Sequence, residues 1–346
     1  MFGLLTLHKI PNKGIPISEQ RRMWLMQFLK AFFVVFITYM CIYLIRNNFK
    51  AAQPMMKEQL GITTIQLGYI GLAFSITYGL GKTIVGYYIS DKNTKKSLSW
   101  MLILSSVIVM VMGFLLASFG SVVGVMVVLW GLNGVFQAAG GPAAYSTITR
   151  WTPRTKRGKY LGFWNMSHNI GGAIAGFLAL WGANVFFAGN VYGMFIFPAV
   201  IALIIGVITL FIGKDDPEEL GWNRSEEIFG EQVEAENTQA EQMPMWMAFK
   251  KFVLRNPWIW MLCVANIFVY IVRIGVDNWA PLYVSEMLGF SKEAAVGTIF
   301  WFEVGVILAS LSWGYISDLL NGRRFCIKVS CFRVTINVLA KIVQGQ

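Results

Sequence analysis

A chain of 346 residues that is 56% hydrophobic and only 14% charged is far more apolar than a soluble domain of its length, and it reads as an integral membrane protein. Its formal net charge of +11 does not mark a nucleic-acid binder. Much of the excess sits in short loops between apolar runs: Lys92, Lys95 and Lys96 in one, Arg150, Arg154, Lys156, Arg157 and Lys159 in another. The cysteines and the two histidines show neither disulfide-framework nor metal-ligand spacing, so no metal or other cofactor is expected.

Residues 1–27 form a polar N-terminal segment carrying Lys9, Lys13, Arg21 and Arg22, without the cleavage site of a signal peptide. Apolar stretches long enough to cross a bilayer, which takes about 20 residues each, follow at 28–47, 64–89, 98–118, 121–148, 160–186 and 191–213, and again at 258–285 and 294–317. The pattern predicts an all-α polytopic membrane protein of about eight transmembrane helices: a complete six-helix domain over 28–213 and an incomplete second domain over 258–324. The basic loops alternate with loops poor in charge, which places them and the N-terminus in the cytoplasm. Between the domains, 214–257 is a charged linker. Its acidic half, beginning Asp215, Asp216, Glu218 and Glu219, is expected to be solvated and partly disordered, and 246–252 to form a short amphipathic helix at the membrane surface. Residues 325–346 offer only broken apolar runs and make a divergent tail.

Charges inside the apolar helices are costly and mark a functional site by default. Tyr43-Leu44-Ile45-Arg46 returns as Tyr270-Ile271-Val272-Arg273, and at the same offset Ser90-Asp91, before Lys95 and Lys96, returns as Ser317-Asp318, before Arg323 and Arg324. One register relates both pairs, the signature of two homologous halves with a site between them. Either arginine alone is open to a simpler reading, a side chain snorkelling to the headgroups; for Arg273 an ion pair with Asp277, four residues on, is a further option. Together they point to one central cavity. Paired guanidinium groups suit a phosphate or carboxylate, because the planar fork donates parallel hydrogen bonds and keeps its charge. Lys82 has no basic counterpart in the other half and is read as a substrate contact, a partner for a carboxylate, or a snorkelling side chain. Glu303 is a salt-bridge partner or a gate. His168 is either a packing residue or one that responds to substrate charge.

The Tyr87 to Lys96 loop and Gly314-Tyr315-Ile316-Ser317-Asp318 with Asn321-Gly322-Arg323-Arg324 resemble the conformational loop motif of the major facilitator superfamily, although Tyr87 stands where that motif usually has glycine. More narrowly, Tyr43 to Phe49, Thr77 to Lys82, Trp151 to Gly158, Phe163 to Gly172 and Val272 to Trp279 are similar to the organophosphate:inorganic phosphate antiporters. The resemblance runs from about Arg21 to Arg324. It implies the major facilitator fold in a bacterial inner membrane, acting as a monomer. It also implies exchange of external hexose 6-phosphate for internal inorganic phosphate by alternating access, with Arg46 and Arg273 on the phosphoryl group, Lys82 helping to bind substrate and His168 near the cavity. Such a family member has about twelve helices, so the chain is expected to be cut short after the eighth and to transport weakly or, as a non-functional fragment, not at all. A membrane sensor of hexose phosphate is the alternative within the family. A channel would need a continuous polar lining, and no constellation of residues supports an enzyme.

Overall fold

A computed structural model describes residues 6–89, 92–120, 122–231 and 245–319. Helices account for nearly all of them: α1 (Ile17–Leu60), α2 (Thr64–Ile89), α3 (Thr94–Phe119), α4 (Val123–Ala138), α5 (Gly140–Trp151), α6 (Arg154–Phe186), α7 (Gly193–Phe211), α8 (Pro257–Glu286) and α9 (Lys292–Leu319). Among the described residues the β-pairing is a single isolated bridge between Thr6 and Lys92. Among the described residues, six stretches are long and apolar enough to cross a membrane: α1, α3, α4 with α5, α6, α7 and α8. The other two, α2 and α9, have 26 and 28 residues and are of spanning length, with Lys82 and Glu303 in their interiors.

Local chemistry sets the ends. The 44 residues of α1 stop at Gly61, whose φ of 66° lets its N–H turn back to the Lys57 and Met56 carbonyls. Helices α4 and α5 together make one span, broken at Ala139 just before Gly140-Gly141-Pro142, where the proline has no N–H to continue the ladder. At the head of α3 the Asn93 side chain accepts from Lys96 N, and α8 starts on Pro257 with Asn256 as its cap.

In a membrane, helices associate through close packing of small residues rather than through hydrophobic burial. Helix α2 lies along α4, α1 along α6 and α3 along α7. Gly134 of α4 sits against Thr77 Oγ1 and the Phe74 carbonyl of α2, and Gly171 of α6 against the Met40 carbonyl of α1. Any Cβ there would collide with backbone. Helix α9 rests on α6 and α8, while α8 meets α1. Most of the apolar face of α8 is exposed, including Trp258, Trp260, Phe268 and Ile271.

The linker corrects one expectation. Its first acidic residues are built into the bundle end rather than solvated: Asp215 is fully buried. Its carboxylate accepts from Thr94 N and Oγ1, Lys95 N and Thr147 Oγ1 at 2.6 to 2.9 Å, and it pairs with Arg150. The amides at the head of α3 have no acid in their own first turn, and Asp215 supplies that charge from outside the helix. Beside it, Lys95 Nζ donates to the carbonyls of Thr209, Leu210, Ile212 and Gly213 at 2.8 to 3.3 Å, closing the C-terminal end of α7. Further on, Met245–Phe249 is a short helix continued by a π turn over Lys250–Leu254; residues 232–244 lie outside the described residues.

Removing Asp215 strands several buried donors and the Arg150 charge at once. Asp215→Ala is expected to destabilise the protein by about 3–5 kcal/mol, the usual cost of breaking a buried pair from one side, and Asp215→Asn by less. Thermal unfolding in detergent measures both; an unchanged melting temperature in Asp215→Ala would show that the knot is not a structural tie.

Candidate functional site

A cavity of about 850 Å³ opens between the first helices and the last two. Residues from α1 (Tyr43, Arg46, Asn47, Lys50), α2 (Tyr78, Lys82), α6 (Asn165, His168, Asn169), α8 (Arg273, Asp277, Asn278) and α9 (Glu303) line it. Arg46, Arg273, Lys82, His168, Asp277 and Glu303, singled out as isolated charges or polar groups in apolar sequence, are thus on one wall system. They converge because each sits on the inward face of its helix, and a charged side chain has nowhere less costly to point.

Arg46 has been given partners that do not neutralise it. Its Nε donates to Gln137 Oε1 at 2.7 Å, and its guanidinium lies over the rings of Tyr43 and Tyr78, 4.3 and 4.4 Å from their centroids, with Phe74 at 5.2 Å. Aromatic faces stabilise a desolvated cation without cancelling its charge. Lys82 shares Tyr78, its Nζ lying 4.6 Å from the same ring. The His168 ring stands 5.0 Å from that of Tyr43, and its Nδ1 has no protein hydrogen-bond partner. Arg273 borders the cavity from α8.

The carboxylates are arranged differently from the sequence expectation. Asp277 pairs with Lys50 of α1 rather than with Arg273 in its own helix. The two residues are 227 positions apart, the same offset that relates Arg46 to Arg273. Equivalent positions in pseudo-two-fold halves touch only where both lie beside the axis, so this pair locates the axis between α1 and α8, one helical turn from the arginines. Glu303 is buried and accepts from Asn47 Nδ2 at 3.4 Å, and Gly172 of α6 leaves the space for both side chains. Two more ion pairs join the halves beyond the cavity, Lys57 with Glu286 at 2.5 Å and Lys292 with Glu58 at 2.7 Å. All three lie toward the C-terminal end of α1 and tie that end of the bundle together.

Sequence reasoning overlooked Lys50, the aromatic cage and Gln137. The signal for Lys50 was present, since Lys50 and Asp277 follow Arg46 and Arg273 at equal spacing with opposite charge. The loop-motif residues Lys95 and Lys96 lie at the bundle end, away from the cavity; Asp91, Arg323 and Arg324 fall outside the described residues, as does the Asp318 side chain. With Lys50 and Asp277 offsetting one another, Arg46, Arg273 and Lys82 face one carboxylate, Glu303. The lining therefore carries an excess of positive charge.

A polytopic helical bundle with a cationic cavity between pseudo-symmetric halves defines a membrane carrier. The chain belongs to the Major Facilitator Superfamily, whose family model matches residues 35–340. That match continues past Arg324, where the motif resemblance ended. The chain is 46% identical over 343 residues to the hexose-6-phosphate:phosphate antiporter of Salmonella typhimurium (strain LT2), covering 98% of this chain and 74% of that one. It is 31% identical to the phosphoglycerate transporter protein of the same organism, with 94% and 69% covered. Among solved structures it is similar in fold to a bacterial homolog of the human lysosomal transporter Spinster in an inward-facing, unoccupied conformation, with a TM-score of 0.67 and 17% identity over 86% of this chain and 64% of that one.

The Lys50 and Asp277 pairing is testable by reversal. Lys50→Asp and Asp277→Lys singly are each expected to lower the melting temperature, with a coupling on the order of 2 kcal/mol between them, and the double reversal to recover most of the loss. No recovery in a double-mutant cycle on thermal unfolding would show that the two charges act independently.

Proposed function

We propose that this chain exchanges a hexose phosphate for inorganic phosphate across the bacterial cytoplasmic membrane, as a monomer, by alternating access. The observation that carries the reading is the pair Arg46 and Arg273, at equivalent positions of the two halves and on one cavity. Similarity to the hexose-6-phosphate:phosphate antiporter over nearly the whole chain supports it. A phosphoryl dianion is the ligand common to both exchanged compounds, and a pair of guanidinium forks is its natural complement.

The mechanism follows from the charge count. Arg46 from the first half and Arg273 from the second repel while the cavity holds no anion, and a phosphoryl group between them draws both halves inward. A ligand shifts a conformational equilibrium only by its differential affinity for the two states, and here the difference arises where both arginines reach one group. A loaded carrier then switches and an empty one does not, which makes exchange obligatory. The free energy comes from the two solute gradients. Lys82 and His168 add polar contacts to the organic phosphate, while Asp277 and Glu303 exchange partners as the halves rock. With the N-terminus and the linker cytoplasmic, the three cross-half ion pairs close the external side. The units in this reading are 28–213 and 258–324, joined by 214–257.

Uptake of labelled glucose 6-phosphate into proteoliposomes tests it. Uptake is expected only with phosphate inside, and Arg46→Lys and Arg273→Lys are each expected to lower it by about 100-fold, because lysine keeps the charge and loses the fork. Uptake without internal phosphate, or full activity in either variant, overturns the reading.

A further inference from the structure

Gln137 does not line the cavity, yet it holds the Arg46 guanidinium that does. Its Oε1 accepts from Arg46 Nε at 2.7 Å. Its Nε2 donates to Ser105 Oγ at 2.8 Å and to Asn133 Oδ1 at 3.1 Å, and Ser105 Oγ in turn donates to Asn133 Oδ1. All three side chains are buried, none more than 1% exposed. The amide therefore has one way round. Arginine only donates, so the oxygen must face it, and the acceptors of Ser105 and Asn133 on the other side fix the nitrogen.

We infer that Gln137, braced by Ser105 and Asn133, is a positioning residue for phosphoryl recognition; this rests on the anion-exchange reading above. The argument has two parts. With Nε committed to Gln137 and the guanidinium stacked over Tyr43 and Tyr78, the terminal nitrogens are the donors left to meet paired oxygens. The acceptor is also a neutral amide. A carboxylate at this place would orient the fork equally well and cancel its charge, setting an internal anion in competition with the substrate. The amide gives orientation while leaving the full positive charge for the ligand. Because the bracing groups belong to α3 and α4, the phosphoryl grip of α1 is referenced to the rigid interior of the first half rather than to the moving interface.

Binding of inorganic phosphate and of glucose 6-phosphate to the purified 346-residue chain, by isothermal titration, provides the test in Gln137→Glu, Gln137→Met and Ser105→Ala. The expected result is a loss of affinity of about tenfold in both Gln137 variants, the scale of one hydrogen bond to a charged group, and of about fivefold in Ser105→Ala. The loss is the same factor for both ligands because they share the phosphoryl group, and the fraction of protein that binds is unchanged. A merely structural role would lower the binding-competent fraction and leave the affinity of the remainder intact. A folded Gln137 variant that binds phosphate within twofold of the unsubstituted protein overturns the inference, as does a loss confined to one of the two ligands. Should neither Gln137 variant fold, Ser105→Ala decides by the same twofold criterion. Phosphate that does not bind the unsubstituted protein overturns the anion-site reading itself, and the inference with it.

Discussion

An arginine in a membrane interior must keep its charge, since its proton is not released at any accessible pH, and the rest of the cavity is organised around that demand. Leaving a guanidinium without partners in low dielectric costs many kcal/mol. Pairing it with a fixed carboxylate would remove the cost and the uncompensated charge together. The arrangement at Arg46 is intermediate: an amide oxygen and two phenol rings stabilise the cation and leave it uncompensated. Helix α2 is placed to bring Tyr78 between Arg46 and Lys82, and the close contact of Gly134 with α2 lets α4 present Gln137 near enough to reach.

The bundle end shows what the same residue types do when no ligand is intended. Asp215 and Lys95 are buried at least as deeply as Glu303 in the cavity, but their hydrogen-bonding capacity is taken up within the protein: amides, hydroxyls and Arg150 on the acid, helix-end carbonyls on the lysine. A satisfied network of this kind rigidifies. Those of Arg46, Arg273 and Lys82 are not taken up in that way. Lys50 and Asp277 stand between the two cases, charges satisfied by each other but belonging to different halves, so the bond stabilises only arrangements that bring α1 and α8 together. Rigidity at one end and conditional contacts across the middle are what a carrier of this superfamily requires, since substrate must find both halves movable about a fixed site.

Much of this was legible in the sequence. Helical spans are long apolar runs, and a run of that length has few other structures available to it in lipid. The duplicated Arg46 and Arg273 pointed to the cavity that both line, because a charge in apolar helix stands out without any knowledge of its neighbours. Lys82, His168 and Glu303 were found in the same way. Which groups meet was decided by tertiary structure. Asp277 had a plausible partner four residues away, and it took the packing of α8 on α1 to bring Lys50 to it instead. Asp215 sat in an acidic run that composition assigns to solvent, and only the docking of the linker against α3 and α5 buried it. Gln137 carried no signal, being an ordinary polar residue in a helix. Periodicity and hydropathy are properties of one segment against its solvent, whereas a hydrogen bond between segments depends on where a second helix stands. The sequence alone therefore determined the spans, the repeated motifs and the cationic character of the cavity-lining residues; only the folded bundle decided which charges are offset and which stay uncompensated on the cavity wall.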